Sequence, residues 1–369
     1  MYRARTNSRF QSFVLSNSVC LSLCFAVPPL QLGAQTPDAT YPQVAIHGRL
    51  HSQAYFFDSE EYRGVVGTST NFIIRRARIN ALVRLSDRVS VSIMPSFENA
   101  RGRGDFRLRD AYVDLRLSNP AAPTSFILRF GQEKRPFSRL ELSTSNALPG
   151  IERGAGPGLM PVQSNDLFGS AGYLSDDLGA AVVLTSGAFA LRAGVYNGTG
   201  DANKDVNEAK SFGARATYEL SSKIGIGGAL FSHDGIVGTD SSFRNTAFEI
   251  DAQWGKVGQP GLYVLGEVLQ GDAFNALDQT MRGLISILAY HVRRGGDAPM
   301  LFAIEPALRI DIADPNLDAE DDGSSLIGGA LGLYFSPRAQ IRFAVEHQLF
   351  QAEGAPSITG LRSAVFVNF

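Results

Sequence analysis

Arginines at alternating positions are the most chemically distinctive feature of the first third of the chain. Arg76 and Arg78 lie two residues apart, and Arg49, Arg116 and Arg129 stand in segments of the same alternating character. Residues two apart share one face of an extended strand. A guanidinium group stays charged at physiological pH and can donate to two oxygens of a carboxylate or phosphate. The spacing therefore predicts a surface that attracts anions.

Two other polar patterns suggest metal binding, but neither has suitable spacing. His47 and His51 would lie about 13 Å apart along a strand, too far to share one ion. The acidic run 314–322 has Ala319 where a calcium loop needs its turn glycine, and Ser325 where it needs a bidentate glutamate. The chain has no G-x-S-x-G, zinc-binding or phosphate-binding glycine motif. We therefore expect no catalytic residues, no metal site and no cofactor.

In the segments that carry the arginines, residue character alternates with a period of two. In the final segment, Leu361, Val365 and Val367 lie on one face and alternate with residues of the other, as in a β-strand. Sixteen such segments are recognised between turn-forming residues. They span 43–57, 70–85, 88–98, 107–117, 124–134, 178–185, 189–197, 210–220, 223–232, 243–254, 261–271, 280–292, 301–312, 325–335, 339–350 and 359–369. The chain is therefore predicted to be all-β.

The connections between these segments alternate in length. Short turns such as Ser86-Asp87 and Ser221-Ser222 follow even-numbered segments, whereas the longer polar loops 58–69 and 198–209 follow odd-numbered ones. This alternation is typical of a transmembrane antiparallel β-barrel, and an even strand count places both termini at the short-turn, periplasmic end. Soluble β-sandwiches, the alternative, would leave sheet edges to be protected and do not explain the alternation. We therefore predict a barrel of sixteen strands.

The first residues have the layout of a secretory signal peptide. Arg3, Arg5 and Arg9 precede an apolar stretch, 14–27, and small residues follow up to Ala34. Cleavage is expected after Ala34. The mature protein is expected to lie in the bacterial outer membrane. There the barrel would contact membrane lipid and lipopolysaccharide, and no nucleic-acid partner is expected.

The predicted domain organisation follows from that cleavage. Residues 1–34 are the signal peptide, and residues 35–369 form a single transmembrane β-barrel domain. Cys20 and Cys24 both lie in the signal peptide, so the mature barrel would have no disulfide.

Strand alternation assigns the charged side chains of the barrel to its lumen. A charge that faces lipid near the membrane centre costs roughly 2–4 kcal/mol, so the inner face should carry Arg49, Arg76, Arg78, Arg116 and Arg129. By the same alternation, Arg75 faces outward near the outer rim.

Two readings of this arginine wall remain open. It could be an anion-selective path, or a truss in which Glu98, Asp110, Asp114 and Glu133 pair with the arginines. Residues 41–153 contain 17 Lys and Arg against 11 Asp and Glu, a net charge of +6, whereas residues 154–369 contain 14 against 24, a net charge of −10. The positive balance favours unpaired arginines in the first part and hence the anion path.

One connection, residues 135–177, is far longer than the others. It has 43 residues and follows the fifth segment, which makes it the third long loop. Loops of this length are usually functional or disordered. The glycine-rich stretch 154–158 would let it fold into the lumen, and the loop would then bring Arg135, Arg139 and Arg153 to the solute path. A disordered surface loop is the alternative.

The chain resembles the phosphate-selective porins of the O and P type. The segments that carry the resemblance are His47–Leu50, Asn71–Arg78, Arg109–Val113, Phe130–Ser138 and Leu148–Arg153.

This resemblance implies a sixteen-stranded homotrimer with the third loop folded into each pore. It also implies an arginine ladder above a lysine-lined constriction, with Arg49, Arg75, Arg76 and Arg153 at ladder-type positions. There is no lysine around Leu140–Leu142, which departs from the phosphate-specific pattern.

The expected function is passive diffusion of small hydrophilic solutes, with a preference for anions such as phosphate. Two alternatives remain: a barrel enzyme of the lipase or protease type, and a plugged structural barrel. The enzyme needs a nucleophile beside a base, but the neighbours Ser232 and His233 would point to opposite faces of a strand.

Overall fold

The computed structural model describes residues 40–100, 105–200, 205, 208–237, 241–273, 279–295 and 300–369. The predicted signal peptide, residues 1–34, lies outside the described residues. No helix in the described part is long and apolar enough to span a membrane.

Sixteen strands in the described residues form one closed antiparallel barrel, as predicted. Each strand pairs with its neighbours in sequence, and β1 also pairs with β16, from Arg49 opposite Asn368 to Phe57 opposite Gly360. The strands are β1 Gln43–Phe57, β2 Thr70–Arg84, β3 Val89–Ala100, β4 Asp105–Arg116, β5 Thr124–Lys134, β6 Asp176–Ser186, β7 Phe189–Tyr196, β8 Ser211–Glu219, β9 Ile224–Val237, β10 Ser241–Trp254, β11 Gly261–Asp272, β12 Thr280–Arg293, β13 Ala303–Asp314, β14 Ser324–Ser336, β15 Ala339–Phe350 and β16 Ile358–Asn368.

Short helices lie in the long connections. Helix α1, Arg63–Val66, follows β1; helices α2, Arg139–Leu142, and α3, Ser164–Ser170, lie between β5 and β6, with a 3₁₀ turn at Ser145–Ala147. The long connection thus spans residues 135–175, and we call it the inner segment.

The ninth strand is longer than predicted. It was expected to end at residue 232, because His233-Asp234-Gly235 has the composition of a loop, but it continues to Val237. Its extra residues pair with the start of β10, for example Asp234 with Arg244. Backbone pairing with the neighbouring strand therefore overrides the local composition.

Two bulges change which side chains face the lumen. In β2, His51 of β1 lies opposite Arg76 and Ser52 lies opposite Ile74, so Arg75 is the extra residue. Arg75 and Arg76 both donate to Glu152 of the inner segment, at 2.7 and 2.9 Å. The outward placement of Arg75 was therefore wrong, because a bulge shifts the alternation by one residue and keeps a charge out of lipid.

The second bulge lies in β4. Met94 of β3 is opposite Asp110, and Pro95 is opposite Leu108, which leaves Arg109 as the extra residue. Arg109 Nε lies 2.8 Å from Asp176 Oδ2. Arg109 therefore faces the lumen with Asp110, although strict alternation would place these two adjacent residues on opposite faces of the strand.

An apolar patch on the inner wall packs against the inner segment. Phe137, Leu140 and Phe168 of this segment pack in one buried cluster with residues such as Phe231 of β9 and Ile285 of β12. Exposing one such side chain to water would cost roughly 1.5–3 kcal/mol. This contact explains why β12 is apolar on both of its faces.

Candidate functional site

The short helix α2 contacts two separate parts of the barrel wall. Arg139 forms an ion pair with Asp251 of β10, and the Leu140 amide donates to Glu267 Oε2 of β11 at 2.9 Å. Glu141 points the other way and pairs with Lys134 of β5. Residues 139–141 therefore lie between two separate parts of the inner wall.

A sharp turn at Ser138 positions this helix. Ser138 has a positive φ of 64°, and its side chain accepts a hydrogen bond from the Glu141 amide at 3.1 Å. The cap satisfies one of the amides that a helix start leaves unpaired. The chain thereby leaves the end of β5 and turns directly into the lumen.

Three arginines from the last strands hold the backbone of the inner segment. Arg309 donates to the carbonyls of Glu152 and Arg153, Arg342 to those of Gly150 and Asn146, and Arg362 to those of Pro157 and Ala155. These three residues were not among the predicted site residues, because strand alternation was applied to the charges of the first five strands alone. The same alternation in β13, β15 and β16 places all three on the inner face.

Five charged side chains meet where α2 approaches β5, and we call them the constriction cluster. They are Arg109, Lys134, Glu141, Arg153 and Asp176. Lys134 Nζ donates to the Glu141 carbonyl at 2.6 Å and to its carboxylate, and Arg153 Nε lies 3.7 Å from Glu141 Oε2. A lysine from the end of β5 thus lies beside residues 140–142, which contain no lysine themselves.

The cluster has three cations against two carboxylates, a net formal charge of +1. Burial raises the pKa of the Glu141 carboxyl, but Lys134 and Arg153 outweigh that effect and hold the pKa at about 2. Glu141 is therefore ionised at every physiological pH.

Six of the eight predicted site arginines lie within ion-pair distance of a carboxylate in the described residues. The pairs are Arg76–Glu152, Arg78–Glu98, Arg129–Asp114, Arg135–Asp177, Arg139–Asp251 and Arg153–Glu141. Much of the arginine wall therefore has the pairing that the truss reading requires.

The other two predicted arginines have no such ion pair in the described part of the chain. Arg49 donates to Thr144 Oγ1 at 2.9 Å and Ser145 Oγ at 3.0 Å. Arg116 lies at the turn end of β4, opposite Ile127 of β5, away from α2. Arg49 is therefore beside the inner segment, whereas Arg116 is not.

A cavity of about 280 Å³ adjoins Arg49 on the short-turn side. Its polar lining includes Arg49, Arg78 and Arg338 together with the side chains of Asn80, Asn146, Asn368 and His47, and it includes no aspartate or glutamate. The chain end at Phe369 also borders it. Three guanidinium and three amide groups make this space suited to anions.

The residues considered for catalysis do not form a nucleophile–base pair. His233 is buried, with Nδ1 at 3.3 Å from Ser211 Oγ. Ser232 Oγ accepts a hydrogen bond from Arg244, at 3.0 Å.

A family model described as phosphate-selective porin O and P matches residues 44–230. A search of curated proteins finds no significant sequence match. Among solved structures, the chain is similar to an anion-selective porin from Comamonas acidovorans, with a TM-score of 0.63 and 13% identity over 89% of this chain and 100% of that one.

Two other solved structures are similar over comparable lengths. The outer membrane channel DcaP of Acinetobacter baumannii has a TM-score of 0.58 and 12% identity, over 91% of this chain and 99% of that one. A trimer form of OmpT, an outer membrane protein of Vibrio cholerae, has a TM-score of 0.57 and 11% identity, over 89% and 100%.

Proposed function

The chain belongs to the phosphate-selective porin O and P family, and from this premise we propose that it is a diffusion channel that prefers anions among small hydrophilic solutes. Porins are channels of the bacterial outer membrane rather than enzymes. The preference for anions and the residues that produce it are the parts of this proposal that need testing.

The arginine-lined cavity carries the proposal. Its three guanidinium groups, on Arg49, Arg78 and Arg338, face a space whose lining has no acidic side chain. Arg78 is paired with Glu98, whereas Arg49 and Arg338 have no ion pair in the described residues, so the cavity keeps a surplus of positive charge. Such a surplus raises the local concentration of anions and repels cations. The similar Comamonas acidovorans protein is named an anion-selective porin, which supports a preference for anions.

The eight predicted arginines divide into two roles in this proposal. Arg49, Arg76, Arg78, Arg116, Arg129 and Arg153 contribute to the field along the solute path. Arg135 and Arg139 instead tie the inner segment to the wall, because their partners Asp177 and Asp251 are fully buried. The inner segment itself narrows the channel by lying between separate parts of the inner wall.

We also propose the assembly that the family resemblance implies. Three copies form a homotrimer in the outer membrane, a state that the trimer form of the Vibrio cholerae protein supports. Membrane lipid and lipopolysaccharide cover the remaining apolar outer face, where residues such as Ile46 and Leu230 are more than 60% exposed. Residues 1–34 are removed as the signal peptide.

Reversal potentials of single channels in a planar bilayer test the preference for anions. The wild type should conduct in steady steps and favour chloride over potassium at about 0.1 M salt, and less so near 1 M, because screening shortens the reach of the fixed charges. The double variant Arg49→Gln/Arg338→Gln should shift the potential toward cations.

A matched control removes two positive charges elsewhere. Arg63→Gln/Arg282→Gln changes two exposed arginines near the long-loop end and should leave the reversal potential as in the wild type. A wild type that prefers cations would contradict the preference for anions, and a wild type without conductance would favour the plugged barrel.

A further inference from the structure

Glu141 is fixed in position by its neighbours on α2. Arg139 and the Leu140 amide are bound to Asp251 of β10 and Glu267 of β11. Ser143 Oγ donates to the Arg139 carbonyl at 2.8 Å and closes the helical turn. The backbone of Glu141 therefore cannot move away from β5 without breaking contacts to β10 and β11.

The Glu141 carboxylate is shared by two cations that water can reach. The side chains of Lys134, Glu141 and Arg153 are 19%, 15% and 9% exposed, so the group is only partly enclosed. Lys134 donates to the Glu141 carboxylate, and Arg153 lies 3.7 Å from it. The remaining carboxylate of the cluster, Asp176, is paired with Arg109 at 2.8 Å.

We propose that Glu141 is a specificity-determining residue: a counter-ion that offsets one of the two positive charges of Lys134 and Arg153 and thereby limits the channel's preference for anions. The inference rests on the proposed function as a diffusion channel. Without this carboxylate, the three cations of the constriction cluster face one carboxylate instead of two, so its net formal charge rises from +1 to +2 close to the solute path.

Opposite charge changes at the two ends of one ion pair test this role. Glu141→Gln keeps the shape and removes the negative charge, and should raise the chloride-over-potassium permeability ratio roughly two- to tenfold at about 0.1 M salt. Lys134→Gln should lower the ratio. The double variant Lys134→Gln/Glu141→Gln should return to near the wild-type value, because it removes one charge of each sign.

Two controls separate charge from structure. Glu353→Gln makes the same substitution at an exposed residue of the β15–β16 loop and should leave the ratio unchanged. Glu141→Asp keeps the charge and should stay close to the wild type. A purely structural role of Glu141 would instead move Glu141→Gln and Lys134→Gln in the same direction, which would overturn the inference.

The result also separates this inference from the proposed function. If the wild type conducts and Glu141→Gln has the wild-type ratio, Glu141 does not set selectivity, although the channel function stands. If the wild type does not conduct, the proposed function fails first. Should Glu141→Gln not insert into the bilayer, Lys134→Gln alone decides, and an unchanged ratio overturns the inference.

Discussion

Buried carboxylates of the inner segment keep their charge because arginines from the barrel wall surround them. Glu152 accepts from Arg75 at 2.7 and 3.1 Å and from Arg76 at 2.9 Å. Burial raises the pKa of the Glu152 carboxyl, but Arg75 and Arg76 outweigh it and hold the pKa well below its usual range. A carboxyl whose pKa is depressed by folding stabilises the folded state above its unfolded pKa, and that stabilisation is lost as the pH falls.

Acid should therefore weaken the fold, and Glu152 should account for part of the loss. Above about pH 4.5, the unfolded value, the contribution of Glu152 is complete, and it declines as the pH falls toward the depressed folded value. Glu152→Gln should speed thermal unfolding at pH 7, because breaking a buried ion pair costs roughly 3–5 kcal/mol. It should also reduce the acceleration that the wild type shows between pH 5 and about pH 3.

The measurement is the rate at which heated protein loses its folded gel mobility at each pH. Asp166 changes the pH dependence of stability in the opposite direction, because burial raises its pKa to about 6 and the fold favours its protonated form. The difference between Glu152→Gln and the wild type at each pH isolates Glu152 from that effect. An equal acid response in both proteins would contradict the role given to Glu152.

At the scale of elements, side chains of strands that are distant in sequence hold the inner segment in place. Arg342 is fully buried and donates to the carbonyls of Gly150 at 2.7 Å and Asn146 at 3.3 Å. The hydrogen bonds of the barrel run between backbone groups of paired strands, so they do not require this side chain. The attachment of the segment and the closure of the barrel are therefore separable.

Arg342→Gln should loosen the inner segment while the barrel stays closed. Hydrogen bonds from a charged donor contribute about 1.5–3 kcal/mol each, so their loss should give larger and noisier open-channel currents. Arg293→Gln, at the exposed end of β12, is the matched control. Single-channel recordings that show the same current noise in both variants would mean that other contacts hold the segment.

At the scale of the whole molecule, closure of β1 against β16 leaves no unpaired sheet edge among the described strands. A barrel that satisfies its backbone hydrogen bonds internally unfolds slowly. The proposed trimer adds contacts between three such barrels.

The protein should therefore run as a trimer in mild detergent without heating and as a monomer after boiling. Gel electrophoresis after chemical crosslinking measures both states. A monomer at every temperature would contradict the homotrimer but not the barrel, because the strand pairing lies within one chain.

The amino-acid sequence by itself determined the barrel and its sixteen strands. Alternation of apolar and polar residues is a local property, and turn lengths such as Ser86-Asp87 are read directly from the chain. The inward orientation of Arg76 and Arg78 follows from the same rule. Arg75 could also have been predicted to face inward, because two adjacent arginines in one strand can both avoid lipid only through a bulge.

The tertiary structure alone decided which charges meet. Lys134 and Glu141 lie seven residues apart but face each other only because Ser138 turns α2 back toward β5. Arg342 reaches Gly150 across 192 residues of sequence. Such contacts depend on strand register around the whole barrel and on the path of one long loop. Neither has a local periodicity, so the sequence predicted partners within the wall, such as Glu98 for Arg78 and Asp114 for Arg129, but not those that involve the inner segment.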